Sequence, residues 1–187
     1  LSLLLAMLHV LLNEEPSYDE EFLRQSTNAP YLVADDRSLV RDRFSGEPLL
    51  WDEVSGQAKR HDDGGILRAA LEGCYQHEGV ACRPAFALLR QQVAQHPPEA
   101  ASVITGIPTD DIRRLAREFG RAAHVGATTE LEGVSYPYRP VSAVSYRGME
   151  AHTNGTLATM ALEILNAVVG SLDAVGGTLA RSGDERR

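Results

Sequence analysis

Three observations predict a mixed α/β fold. A short run rich in β-branched and aromatic residues, Val141 to Tyr146, stops at Gly148 and gives way to a polar loop. Beyond the loop, Leu157, Met160, Ala161, Ile164, Leu165, Val168 and Val169 recur at helical spacing, the stripe that an amphipathic helix turns toward a core. Upstream, helical patterns alternate with short hairpin signals. Together these predict a mostly helical connecting region with small β-hairpins, plus one strand–loop–helix unit of a Rossmann-like sheet, within a larger multidomain fold. Burying the stripe contributes roughly 1.5–3 kcal/mol per large side chain before entropy is counted. The loop is therefore held between two anchored elements, the place where open α/β sheets bind ligands.

That loop is Arg147-Gly148-Met149-Glu150-Ala151-His152-Thr153-Asn154-Gly155. Its glycines permit close backbone approach or positive φ angles. Arg147, Glu150, His152 and Asn154 supply a cation, an anion, a titratable ring and an amide within a few residues. The plainer reading is a polar turn, with Asn154 or Thr156 capping the helix and Gly155 easing the bend.

In composition the 187 residues are those of an ordinary globular protein, 43% hydrophobic and 24% charged. The net charge of −8 argues against nucleic acid or an anionic membrane as partner through bulk electrostatics. Leu1 to Leu12 is too short for a membrane span, which needs about 20 residues, and lacks the basic region of a signal peptide. Its hydrophobicity on every side reads as a core helix whose beginning is missing, so the chain is expected to be an excerpt.

The remaining elements follow in order. Asn13 to Pro16 ends the first helix, and Ser17-Tyr18-Asp19-Glu20 fits a capping box with Ser17 as N-cap. A short helix then packs Phe22 and Leu23, and Tyr31-Leu32-Val33 reads as a brief strand. In the polar stretch from Asp35 to Gly65, Pro48–Asp52 and Gln57–Arg60 form a hairpin around Val54-Ser55-Gly56. Asp52, Glu53, Asp62 and Asp63 match no calcium-loop spacing and read as a solvated surface. Cys74 and Cys82, eight apart with His77 between, match neither zinc nor iron–sulfur spacing and read as partly buried small hydrophobes.

Helices then dominate. Pro84 sits at a first helical position before Phe86, Leu89 and Val93. Pro98 starts a helix ending at Thr105, with Gly106 at C′. Thr109 caps a third, which buries Ile112, Leu115, Ala116 and Phe119 and ends at Gly120. Residues 98–120 also carry a second reading, a helix-turn-helix-like DNA-binding or protein-interaction module presenting Arg113, Arg114 and Arg117. Against it, the second helix opens with Asp110 and Asp111, where a recognition helix meets bases and phosphates. Thr128–Leu131 and Val134–Tyr136 form another hairpin around Glu132-Gly133, and Pro137 and Pro140 keep the chain extended into Val141.

Three stretches, in order, resemble the molybdopterin oxidoreductase family of the dimethyl sulfoxide reductase type. AMLHVLLNEE followed by YDEEFLRQSTNAPYLV is similar to part of that family. PEAASVITGIPTDDIRRLAREF resembles its "PE.AA.ITG...I..LAREF" helices. SYRGMEAHTNGTLATMALEILNAVVGSLDAVGG resembles the segment ending "LNAL.G..D.PGG". The resemblance implies a molybdenum (or tungsten) bis(molybdopterin guanine dinucleotide) oxidoreductase carrying out two-electron or oxygen-atom transfer on a small inorganic or organic substrate. It implies a 4Fe-4S cluster in an N-terminal part and, for a partner, an iron–sulfur electron-transfer protein. It marks Gly148, Glu150, His152, Asn154 and Gly155 as cofactor-binding residues, with Arg147 beside them to pair with phosphate or an anionic substrate.

The implied division is residues 1–26 as terminal helices of one α/β lobe, 27–83 as an irregular region with a hairpin, 84–123 as a helical region, 124–180 as the strand–loop–helix unit of a second lobe, and 181–187 as a tail. The family's cysteine cluster and its metal-ligating residue are not in this stretch, so no catalytic or metal-ligating residue is assigned and the stretch by itself is expected to be inactive. Ala174 and Val175 depart from the family pattern, in which a proline precedes the paired glycines. These residues leave open a periplasmic or cytoplasmic location.

Overall fold

The apolar start of the chain folds into helix α1 (Ser2–His9) and continues through a π-helical turn over Val10–Glu14. Ala6, Met7, Leu8, Val10, Leu11 and Leu12 are all buried, as their lack of a polar face requires. The computed structural model describes residues 1–178; the 181–187 tail, and residues 179 and 180, lie outside that range. It divides into two units, one formed by Leu1–Asp19 with the chain from Val93 onward, the other by Glu20–Gln92.

In the first unit α1 packs against α4 (Pro98–Thr105), α5 (Thr109–Ala122) and α6 (Gly155–Val168). Ala6, Ala101 and Ile112 meet in one buried cluster lined by Leu3 and Ile107. Gly106 closes α4 in the left-handed region at φ 74°, the αL termination expected after Thr105. Two boundaries of α5 differ from expectation. Thr109 is its first residue rather than its cap, because the Pro108 carbonyl accepts the Asp111 and Ile112 amides. Gly120 does not end it: the helix runs on to Ala122, with Gly120 buried where a Cβ would lie 2.8 Å from Leu11 Cδ2.

Strands β6 (Thr128–Leu131) and β7 (Val134–Pro137) pair as predicted around Glu132 and Gly133, at φ 52° and 80°, the double positive φ of a tight hairpin turn. Most of the ribbon's side chains are exposed, and its root is held by Arg139. This buried guanidinium donates through Nη1 to the Ala127 and Tyr138 carbonyls at 2.8 and 2.9 Å, and through Nε and Nη2 to Asp19 Oδ2 at 3.0 and 2.6 Å. The Ser17 capping box is absent. The Ser17 amide donates to the Leu11 carbonyl and the Asp19 amide to that of Val168, and helix α2 begins only at Glu20.

Two features around the Val141 segment depart from expectation. Leu157 and Met160 are each 55% exposed, and the buried arc of α6 runs instead through Ala158, Ala161, Leu162, Leu165 and Val168. The start of this helix is apolar on more than one side, so periodicity alone does not choose the buried arc. Residues 141–146 form no strand, and among the described residues no Rossmann-like parallel sheet is present. None of the described strands pairs with the segment; the Ala143 backbone bonds instead to the Asn166 side chain. Val144 and Tyr146 are 79% and 82% exposed.

The second unit contains α2 (Glu20–Ser26), which buries Leu23, and an antiparallel sheet in the order β1 (Leu32–Ala34), β5 (Val80–Pro84), β4 (Tyr75–His77). The hairpin of β2 (Leu49–Asp52) and β3 (Gln57–Arg60) forms as predicted, with Gly56 at φ 66° in its turn. Leu32, Leu49 and Cys82 make the core, flanked by Trp51 stacked on Tyr75 with ring centroids 4.5 Å apart. The β4–β5 hairpin was not anticipated: YQH and VACRP show no clean alternation, and the usable signal was Glu78-Gly79, both at positive φ. Helix α3 (Ala85–Val93) follows directly on Pro84.

Candidate functional site

The loop from Arg147 to Gly155 is a succession of turns that stops where α6 begins. Arg147, Gly148, Glu150, His152 and Asn154 are exposed, and Gly155 is buried. The six residues singled out from the sequence thus share one outward-facing bend at the positive end of a 14-residue helix. The Arg147 guanidinium lies over the Tyr146 ring, 5.8 Å from its centroid, and Ser145 Oγ donates to Glu150 Oε1 at 3.4 Å. Asn154 is the N-cap residue, but its side chain makes no cap bond.

The two glycines are needed for different reasons. A Cβ on Gly155 would stand 2.3 Å from the Glu150 carbonyl oxygen, so only glycine lets the loop fold back onto the start of the helix. At Gly148 a Cβ would meet nothing within 4 Å, and its φ is not positive. Nothing among the described residues demands glycine there; it leaves open space beside exposed backbone, where a ligand can approach closely.

Asn166, which the sequence pattern did not single out, bonds the backbone that leads into this bend. It is fully buried on α6; its Oδ1 accepts the Ala143 amide and its Nδ2 donates to the Ala143 carbonyl, both at 2.8 Å. The signal available was an amide side chain on the same helical face as Leu162 and Leu165.

Other polar clusters turn inward. Asp52, expected in a solvated surface, is fully buried: it accepts from Lys59 Nζ and Ser55 Oγ at 2.7 Å each and from the Arg68 amide at 2.9 Å. The Lys59 hydrogen bond, followed by those from Arg68 and Ser55, holds its carboxyl far below the usual range. Cys82 is buried, which pushes its thiol up, while Cys74 is exposed. Among the described residues, no group of three or more His, Cys, Asp or Glu side chains is placed to hold a metal ion. No helix among them is long and apolar enough to cross a membrane.

The arginines of the helix-turn-helix reading are committed elsewhere. Arg113 bonds Glu14 at 2.7 Å and Glu99 at 2.8 Å, Arg117 bonds Glu15, and Arg114 bridges Asp111 and Glu118. The Arg113 hydrogen bond holds Glu14 below its ordinary pKa. α5 serves as a packed support of α1, and Arg113, Arg114 and Arg117 are already paired with carboxylates of this chain.

No family model matches the chain. It is 36% identical to one subunit of the sulfite dehydrogenase of Allochromatium vinosum, over 94% of its own length and 20% of that protein. It is 24% identical to the alpha subunit of the dimethylsulfide dehydrogenase of Rhodovulum sulfidophilum, over 94% of itself and 19% of the relative. With the alpha subunit of the perchlorate reductase of Dechloromonas aromatica the figures are 25% identity, 95% and 22%. The chain belongs to the molybdopterin oxidoreductase family. It spans about a fifth of the length of these curated relatives. Catalytic subunits of this molybdopterin oxidoreductase family use molybdenum with a pterin cofactor, and the helix-turn-helix reading of residues 98–120 is not favoured.

Proposed function

We propose that this chain is a segment of the catalytic subunit of a molybdenum (or tungsten) oxidoreductase acting by two-electron or oxygen-atom transfer on a small sulfur or chlorine compound, and that residues 147–155 line its cofactor pocket. The observation that carries this reading is the exposed, glycine-bordered bend at the head of α6 in a chain of this family. Its groups suit a large polar ligand rich in phosphate. The Arg147 guanidinium pairs with phosphate, His152 and the Asn154 amide hydrogen-bond pterin or substrate, and Glu150 accepts from an amino group. The exposed backbone at Gly148 admits close contact, and Gly155 shapes the fold-back. The bis(molybdopterin guanine dinucleotide) group, when bound, supplies the redox chemistry, while the chain binds and orients it. The 4Fe-4S cluster, the metal-ligating side chain and the iron–sulfur partner protein belong to parts of the enzyme outside this stretch.

The test is made in the full-length enzyme. His152→Ala and Asn154→Ala are expected to lower turnover, or molybdenum and pterin content after gel filtration, by at least about tenfold, the loss of one or two hydrogen bonds to a charged group. Wild-type activity and metal content in both variants would remove these residues from the pocket.

A further inference from the structure

A buried amide in the middle of an apolar helix needs a reason, because burying it is costly unless every polar atom is bonded. Asn166 has that reason in Ala143, whose N–H and C=O it satisfies together, 23 positions away. The amide acts as a short piece of neighbouring strand would, occupying both groups of one residue on one edge of an extended segment. The pairing also fixes which end of the amide is oxygen, since Ala143 presents one donor and one acceptor. The Asn166 backbone is itself held in place: the Ser171 amide and hydroxyl both donate to its main-chain carbonyl, at 3.0 and 3.2 Å.

The consequence is topological. The polar bend runs into α6 at Gly155, and its other end, four residues before Arg147, is bonded to the same helix at Asn166. One helix therefore carries both ends of the bend, closing the chain between Ala143 and Asn166 into a loop and removing much of the freedom of a segment tethered at one end. Between the two fixed points lie Arg147, Gly148, Glu150, His152 and Asn154. We infer that Asn166 is a positioning residue, which by gripping the Ala143 backbone fixes the presentation of residues 147–155 toward the cofactor. The inference rests on the cofactor-pocket reading of that bend.

The experiment uses the full-length enzyme with Asn166→Leu, which keeps side-chain bulk and loses both bonds, and Asn166→Asp, which keeps the acceptor and loses the amide donor. Amide hydrogen exchange across residues 141–155 is measured together with molybdenum and pterin content and the electron paramagnetic resonance spectrum of the bound metal. In the folded Leu variant exchange is expected to rise at least about tenfold, less in the Asp variant, with reduced cofactor content or an altered metal spectrum. Unchanged exchange overturns the role of Asn166 and leaves the pocket reading to the His152 and Asn154 variants. Faster exchange with cofactor content and spectrum intact overturns the positioning role of Asn166, while wild-type behaviour of the His152 and Asn154 variants is what overturns the pocket reading. Should neither variant fold, the unmodified enzyme decides. A slowly exchanging Ala143 amide supports the grip, and one exchanging at the rate of an open chain removes it.

Discussion

Two glycine-containing polar loops of this chain point their chemistry in opposite directions. In the stretch around Asp52 the carboxylate is buried, and Ser55, Lys59 and the Arg68 amide converge on it. In the bend from Arg147 to Gly155 the charged and amide side chains face outward, and the buried polar bond that steadies it, from Asn166, lies on its approach. Both look alike as strings of letters. Polar residues spent on the chain's own backbone are structure, and those left facing outward are available to a ligand.

The sharpest way to break the contrast is Asp52→Ala. It leaves the Lys59 ammonium and the Arg68 amide without their shared acceptor, and is expected to give the largest drop in urea midpoint of the substitutions considered, with cofactor content per folded enzyme unchanged. Next comes Gly155→Ala, whose new methyl meets a backbone carbonyl that no rotamer change can move aside. A cost of about 1–3 kcal/mol is expected, and unlike Asp52→Ala it should also lower cofactor retention.

A smaller effect is expected from acid. The folded-state pKa of Glu14 is depressed by Arg113, so its contribution is fully present above the ordinary value of about 4.5 and is lost as pH falls through the depressed one. Glu14→Gln should flatten that part of a stability–pH curve without touching the bend. Smallest of all, His152→Ala and Asn154→Ala should shift thermal stability by no more than about 0.5 kcal/mol. A larger loss would place these side chains in the chain's own framework and dissolve the contrast.

Elements carried by local chemistry were legible in the sequence: the Gly106 stop, the Glu132-Gly133 turn, the β2–β3 hairpin and the buried first helix. What escaped depends on distant partners. The Ser17 box gave way because the Ser17 and Asp19 amides bond the Leu11 and distant Val168 carbonyls, and the helix starts only at Glu20. The Val141 strand did not form because none of the described strands lies against it, and a side chain takes up the Ala143 backbone instead. Asp52 reads as solvated until Lys59 and Arg68 fold over it. Likewise the turn over residues 147–155 could be read from its glycines and polar letters, whereas the Gly155 fold-back and the Asn166 bond became visible only with the backbone in place.

The Arg139 grip has a practical reach as well. A two-stranded ribbon draws little stability from itself in water, and the exposed faces of β6 and β7 add little burial, so the hold on this ribbon is concentrated at Arg139. A spin label on an exposed strand position such as Ser135 is expected to report on the ribbon while leaving intact the turn, whose positive φ at Glu132 and Gly133 restricts what can replace them.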